Sequence, residues 1–92
     1  MSKQNKTYSD KLLENKKFRR DFEQEYKNLV ISEKIAELRH KANLTQEELA
    51  NRIQTTKSAI SRYESNNYKG YSIALLQKIA FACGADLQVG FV

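Results

Sequence analysis

The chain contains no proline, and its three glycines, at positions 70, 84 and 90, all lie in the last quarter of its 92 residues. Proline and glycine are the residues that most disfavour a helix interior, so their absence from the first 69 positions favours long helices. An apolar content of 40% is sufficient for one compact core at this length. The sequence therefore predicts a single, mainly helical domain.

The first half of the chain predicts two helices. Ser9 or Asp10 is expected to cap a short helix that carries Leu12 and Leu13. From Lys16 onwards apolar residues recur every three to five positions, which predicts a long helix over about residues 16–41, divided at most at Ile31-Ser32. This spacing places one side of the helix inward, with Phe18, Phe22, Tyr26, Leu29, Val30, Ile35, Leu38 and Ala42. Asn43 is expected to end the helix in the left-handed conformation.

Three shorter helices are predicted after Asn43. Thr45 and Glu48 form the pattern of a capping box at the start of a helix that ends near Ile53. Residues 54–56 are expected to form a tight turn, with Thr56 capping a helix over 57–65. A loop over 66–71 follows, and Ser72 is expected to begin a last helix that ends at Gly84.

The last seven residues alternate in polarity. Leu87, Val89 and Phe91 alternate with Gln88 and Gly90, which predicts a β-strand over residues 86–92. No other strand is predicted for it to pair with, and a lone strand leaves its backbone groups without partners. We therefore expect Leu87, Val89 and Phe91 to form a homodimer contact with the same strand of a second copy.

Cysteine and histidine usage argues against several function classes. The single cysteine, Cys83, excludes an internal disulfide, and with His40 as the sole histidine no zinc-ligand set is expected. No convergent acid, base or nucleophile is predicted, so we expect neither an enzyme nor a cofactor. No apolar run reaches about 18 residues, and the first residues lack the apolar core of a signal peptide. A cytoplasmic protein without a membrane segment is expected.

The net charge of +5 is unevenly distributed along the chain. Residues 1–20 carry a net charge of +5, residues 21–46 carry −1 and residues 47–92 carry +1. A polyanion bound by the C-terminal half of one copy would release few counterions and bind weakly. We therefore expect a dimer, or a contribution from the basic N-terminal tail.

Residues 44–64 have the pattern of two short helices that pack at a steep angle. Ala50 supplies the small residue at which their backbones can approach, and the inward positions are apolar: Leu49, Ile53, Ile60 and Tyr63. The outward positions of the second helix hold hydrogen-bond donors and no acid: Lys57, Ser58, Ser61 and Arg62. This is the chemistry required to read base edges in the major groove.

The strings L-T-Q-E-E-L-A and S-A-I-S-R-Y-E resemble those of the lambda-repressor/Cro-like (XRE) helix-turn-helix family, over about residues 38–82. The resemblance implies an all-α, five-helix lambda-repressor-like domain that binds double-stranded DNA. Gln54 stands at the turn position where the family usually has glycine, and a positive φ there costs on the order of 1 kcal/mol.

The resemblance also assigns roles to individual residues. Gln46 is expected to contact a phosphate, Lys57 and Ser58 match base-reading positions, and the remaining expected DNA contacts are Thr56, Ser61, Arg62, Asn66, Asn67 and Lys69. Arg62 has an alternative role, in which it pairs with Glu47 or Glu48 and braces the motif. Glu64 is expected to be structural, because an acid that faced phosphates would repel them.

The order of the segments resembles antitoxins of the HigA type, which repress their own operon and neutralise a RelE/HigB-like ribonuclease toxin. This layout implies an N-terminal extension over 1–30, a DNA-binding domain over 31–85 and a dimerisation strand over 86–92. It also implies that Phe18, Phe22 and Tyr26 bind the toxin. Three alternatives stay open: the three rings pack on the domain's own core, the basic tail follows the DNA backbone, or the tail serves only solubility. The competing function is a solitary phage-type regulator on a palindromic operator.

Overall fold

A computed structural model describes residues 7–92 as four α-helices. The helices are α1 (Tyr8–Lys41), α2 (Gln46–Arg52), α3 (Lys57–Tyr63) and α4 (Ile73–Ala82). The prediction of an all-α fold is confirmed, with four helices in place of five among the described residues. None of these four helices is long and apolar enough to cross a membrane.

Helix α1 is one continuous helix of 34 residues, so the predicted division into two helices is wrong. Its N-cap is Thr7 and not Ser9 or Asp10: the Thr7 hydroxyl accepts from the Asp10 amide at 3.1 Å, and the Asp10 carboxylate accepts from the Thr7 amide at 3.3 Å. Ser32 does not interrupt the helix, because its hydroxyl donates to the Leu29 carbonyl at 2.7 Å and is thereby satisfied while fully buried.

The two halves of α1 use different faces. Its buried residues are Asn28, Ser32, Ile35 and Arg39, whose spacing of four, three and four residues defines one stripe against the rest of the domain. Every residue from 7 to 27 is exposed. The prediction that the aromatic residues share the inward side is wrong, because repeated steps of four rotate a stripe by about 40° per step around the axis.

The core lies between the second half of α1 and the three short helices. Leu49, Ile60 and Ile79 are at most 1% exposed, and the same cluster includes Ile35, Leu44 and Ala50. Ile53 and Tyr63 are partly buried against it. The predicted inward positions of the two motif helices are therefore confirmed, including the small residue Ala50.

The predicted β-strand over residues 86–92 does not form: residues 85–92 have no regular secondary structure. A strand needs a neighbour for its backbone hydrogen bonds, and residues 7–92 of a single chain provide none. Leu87 is half-buried in an apolar groove of about 190 Å³ that also includes Ile31 and Leu76. Val89 and Phe91 are exposed.

Candidate nucleic-acid interface

Side-chain caps define the ends of the two motif helices. The Thr45 hydroxyl accepts from the Glu48 amide at 3.0 Å, and the Glu48 carboxylate accepts from the Thr45 amide at 2.8 Å, as predicted. These hydrogen bonds hold the pKa of the Glu48 carboxyl below its usual value. Thr56 caps α3 by accepting from the Ala59 amide at 3.1 Å. Both helices therefore begin at defined residues, which fixes the direction of their outward side chains.

The turn between α2 and α3 closes as the sequence predicts. Gln54 has a φ of 60°, the left-handed conformation expected where the family usually has glycine, and Asn43 has a φ of 58° at the end of α1. The Thr55 amide donates to the Ala50 carbonyl at 2.8 Å, so the chain reverses directly after α2. This hydrogen bond and the packing of α3 against α2 hold Gln54 in that conformation.

A buried ion pair joins the end of α1 to the end of α3. The Arg39 Nε donates to Glu64 Oε2 at 2.6 Å, its Nη2 donates to Oε1 at 3.0 Å, and its Nη1 donates to the Leu44 carbonyl at 2.9 Å. The hydrogen bond to Glu64 raises the pKa of Arg39 above its already high value. The Gln46 side-chain amide donates to Glu64 Oε1 at 3.2 Å, so the first residue of α2 is held by the same carboxylate.

The Arg39–Glu64 pair is the feature that sequence reasoning missed. The sequence predicts that Glu64 is structural but does not identify its partner. A signal was present: Arg39 lies four residues after Ile35, so it shares the inward face of α1, and a charge on such a face needs a buried partner.

The outward face of α3 presents the four predicted donors. Lys57, Ser58, Ser61 and Arg62 are all exposed, while Ala59 and Ile60 of the same helix are buried. Within residues 7–92, the Arg62 side chain forms no ion pair or hydrogen bond, so the alternative in which it braces Glu47 or Glu48 is not formed. The structure leaves these side chains available for an external partner.

Stacked tyrosines hold the loop after α3 against the domain. Tyr68 packs edge-to-face between Tyr63 and Tyr71, with ring centroids 5.1 and 4.7 Å apart. The Tyr71 hydroxyl donates to the Tyr63 carbonyl at 2.5 Å, and burial raises the pKa of that hydroxyl. This packing leaves Asn66 and Lys69 exposed on the loop.

His40 and Cys83 lie in different surroundings. His40 is exposed, with its Nε2 3.4 Å from Nη2 of Arg39. Cys83 is half-buried at the end of α4, and burial raises the pKa of its thiol, which disfavours the reactive thiolate. No group of three histidine, cysteine, aspartate or glutamate residues between 7 and 92 is placed to hold a metal ion.

A family model described as helix-turn-helix, of the lambda-repressor-like (XRE) type, matches residues 35–89, which is more than half of the chain. The chain belongs to this helix-turn-helix family. No curated protein and no solved structure matches it. In such a motif the second helix enters the major groove and the first crosses the DNA backbone, roles that correspond here to α3 and α2. The domain is that of a DNA-binding transcription regulator.

Proposed function

We propose that this protein is a sequence-specific transcription repressor that reads double-stranded DNA with α3. The observation that carries the proposal is the outward face of α3, where Lys57, Ser58, Ser61 and Arg62 are exposed and no acid is present. The acid at the end of this helix, Glu64, points inward and is neutralised by Arg39. The negative charge at the C-terminal end of α3 is therefore buried and neutralised.

Each residue has a specific role in this proposal. Lys57 and Ser58, in the first turn of α3, contact base edges, and Ser61 and Arg62 contact bases or phosphates one turn later. The remaining residues contact the DNA backbone: Gln46, Thr56, Asn66 and Lys69. Gln46 is oriented for this role by its hydrogen bond to Glu64, since an ordered side chain loses less entropy on binding.

The proposed operator is a palindrome bound by a homodimer in the cytoplasm. Residues 47–92 carry a net charge of +1, so the motif of one copy offers little electrostatic affinity. Two copies on adjacent half-sites double the number of phosphate contacts, because the second copy repeats the contacts of the first.

Selection from a pool of random-sequence duplexes tests the assignment of α3. The wild-type chain is expected to enrich one palindromic sequence, and the variant with Lys57→Ala and Ser58→Ala is expected to enrich none while its circular dichroism stays unchanged. The matched control carries Gln77→Ala and Lys78→Ala, two exposed positions of α4. Enrichment of the same sequence by the Lys57/Ser58 variant would exclude α3 as the reading helix.

An antitoxin is the second candidate function, and the N-terminal half of α1 favours it. Phe18, Phe22 and Tyr26 are 75, 62 and 59% exposed, so the alternative in which they pack on the domain's own core is wrong. Exposed aromatic residues are frequent anchors of protein interfaces. In this proposal residues 1–30 form the toxin-binding extension, residues 31–85 bind DNA and residues 86–92 contribute to dimerisation.

The neighbouring gene distinguishes the antitoxin from a solitary phage-type regulator. An adjacent short reading frame for a RelE/HigB-like protein, whose product co-purifies with this chain, supports the antitoxin. Replacement of Phe18 and Phe22 by serine is then expected to release that product. The absence of such a neighbour supports the solitary regulator.

A further inference from the structure

The first twenty residues of α1, residues 8–27, form a helical segment in which every residue is exposed, and we call this segment the arm. It extends about 30 Å at 1.5 Å per residue. Four large side chains of the arm lie within about 120° of one another around the helix axis: Leu12, Phe18, Phe22 and Tyr26. Their exposed fractions are 40, 75, 62 and 59%, so this apolar face has no partner within the described chain.

We propose that the arm is a self-association surface, on which the arm of a second copy lies antiparallel. The inference rests on the homodimer of the proposed function and adds a contact to the one assigned to residues 86–92, and it requires no DNA. The apolar face points about 130° away from the stripe of α1 that packs on the domain, formed by Asn28, Ser32, Ile35 and Arg39. A second helix can therefore lie along it without displacing α2, α3 or α4.

Charge complementarity selects a second copy as the occupant. Residues 16–20 carry four positive charges, and residues 21–25 carry three negative charges. In an antiparallel pair centred between Arg20 and Asp21, the basic segment of each arm lies against the acidic segment of the other. A parallel pair would place like charges opposite each other, which is destabilising.

The same centre also matches the apolar positions. In this register, the numbers of two opposite residues add up to 41. Leu12 therefore lies opposite the partner's Leu29. Phe22 lies opposite the partner's Arg19, which is next to the partner's Phe18. On one side of the contact between the two arms, the partner's Glu23 then lies between Lys16 and Arg19. Apolar and charged positions are therefore satisfied by one register, which is the consistency expected of a specific helix pair.

A groove lies at the base of the arm, at the position where this register brings the partner's Leu12. An open groove of about 290 Å³ is lined by Phe22, Glu25, Tyr26, Leu29 and Asn66. The register brings the partner's Leu12 to Leu29, at the edge of this groove. By symmetry the contact forms twice, once at each end of the pair.

The surface area that two arms can bury against each other is large enough for a stable dimer. Three aromatic rings that each bury on the order of 150 Å² contribute about 900 Å² when both copies are counted, close to the roughly 1,000 Å² that marks a specific interface. Leu12, Tyr8 and the aliphatic stems of the flanking lysines and arginines contribute the remainder. This area is comparable to that of small, reversible dimers.

Sedimentation velocity of the full chain without DNA tests the proposal through charge reversal. The Glu23→Lys variant places three cations against one another, and the Lys16→Glu/Arg19→Glu variant places three acids together. Each is expected to raise the dimer dissociation constant at least about tenfold, because each pair occurs twice by symmetry. An equimolar mixture of the two variants is expected to recover the wild-type dimer dissociation constant, because opposite charges lie against each other in the mixed dimer.

The matched control is Lys17→Glu, which changes the same charge on the far side of the arm, about 160° from the centre of the apolar face. Its dissociation constant is expected to equal that of the wild type. A wild-type chain that stays monomeric up to about 100 µM would overturn the proposal. So would a dimer that is lost on deletion of residues 86–92 but is unaffected by Glu23→Lys. A loss of DNA binding by Lys57→Ala/Ser58→Ala leaves this result unchanged, so the two proposals can fail separately.

Discussion

The guanidinium of Arg39 donates two hydrogen bonds, at 2.6 and 3.0 Å, to the carboxylate of Glu64, which lies 25 residues later in the sequence. Both side chains are at most 10% exposed. Since α1 ends just after Arg39 and α3 ends just before Glu64, the pair sets the position of the reading helix relative to the long helix. A buried bidentate pair is directional, so it specifies one arrangement of the helices in a way that apolar contacts do not.

Removal of Glu64 is expected to be strongly destabilising. The Glu64→Ala variant leaves the Arg39 charge buried without its partner and leaves Gln46 without its acceptor, which lowers the free energy of unfolding by about 3–5 kcal/mol. Urea denaturation followed by circular dichroism measures this loss. The control is Lys34→Ala, which breaks an exposed pair with Glu37 and is expected to cost at most about 0.5 kcal/mol. Equal losses in the two variants would contradict the structural role of Arg39–Glu64.

Replacement of Gln54 by glycine is expected to stabilise the motif. Gln54 has a φ of 60°, where a side chain with a Cβ is strained, so Gln54→Gly is expected to raise the free energy of unfolding by about 0.5–1 kcal/mol after the entropy cost of glycine. Asn43→Gly is the matched comparison, because asparagine tolerates a φ of 58° better than glutamine does. A larger gain at Asn43 than at Gln54 in the same urea titration would refute this explanation.

The Thr45–Glu48 capping box predicts a dependence of stability on pH. The folded state lowers the pKa of Glu48 through its hydrogen bonds to Thr45, so the stabilisation is complete above the ordinary value of about 4.5 and is lost as the pH falls below it. Between about pH 6 and pH 3 the wild type is therefore expected to lose more stability than Glu48→Gln. Urea midpoints at both pH values provide the measurement, and equal losses would show that the carboxylate does not contribute.

Local sequence signals predicted the motif well. The capping box at Thr45, the cap at Thr56 and the left-handed residues Asn43 and Gln54 all depend on interactions within four or five residues, and the structure confirms each of them. The inward positions Leu49 and Ile60 follow from helical periodicity in the same way. Such features are encoded locally, so a single sequence is enough to identify them.

The errors arose where the structure depends on distant residues. Apolar periodicity marked Phe18 and Phe22 as inward, but the domain is too short to cover them, and their stripe rotates away from that of Ile35. The alternation of Leu87, Val89 and Phe91 predicted a strand that a single chain cannot pair. The partner of Glu64 lies 25 residues away, beyond the reach of any local pattern.

The salt dependence of operator binding is expected to separate backbone contacts from base contacts. If Lys69 neutralises a phosphate, Lys69→Ala lowers the slope of log affinity against log salt by about 0.9 per bound copy and weakens binding equally on all duplexes. Ser58→Ala carries no charge change, so the slope stays constant while the preference for the selected sequence over random duplex declines. Lys34→Ala is the charge-matched control, because Lys34 lines the groove beside Leu76 and Leu87, away from the loop that carries Lys69. Fluorescence anisotropy across a salt series gives both slopes, and a slope that Lys69→Ala leaves unchanged would remove this lysine from the DNA interface.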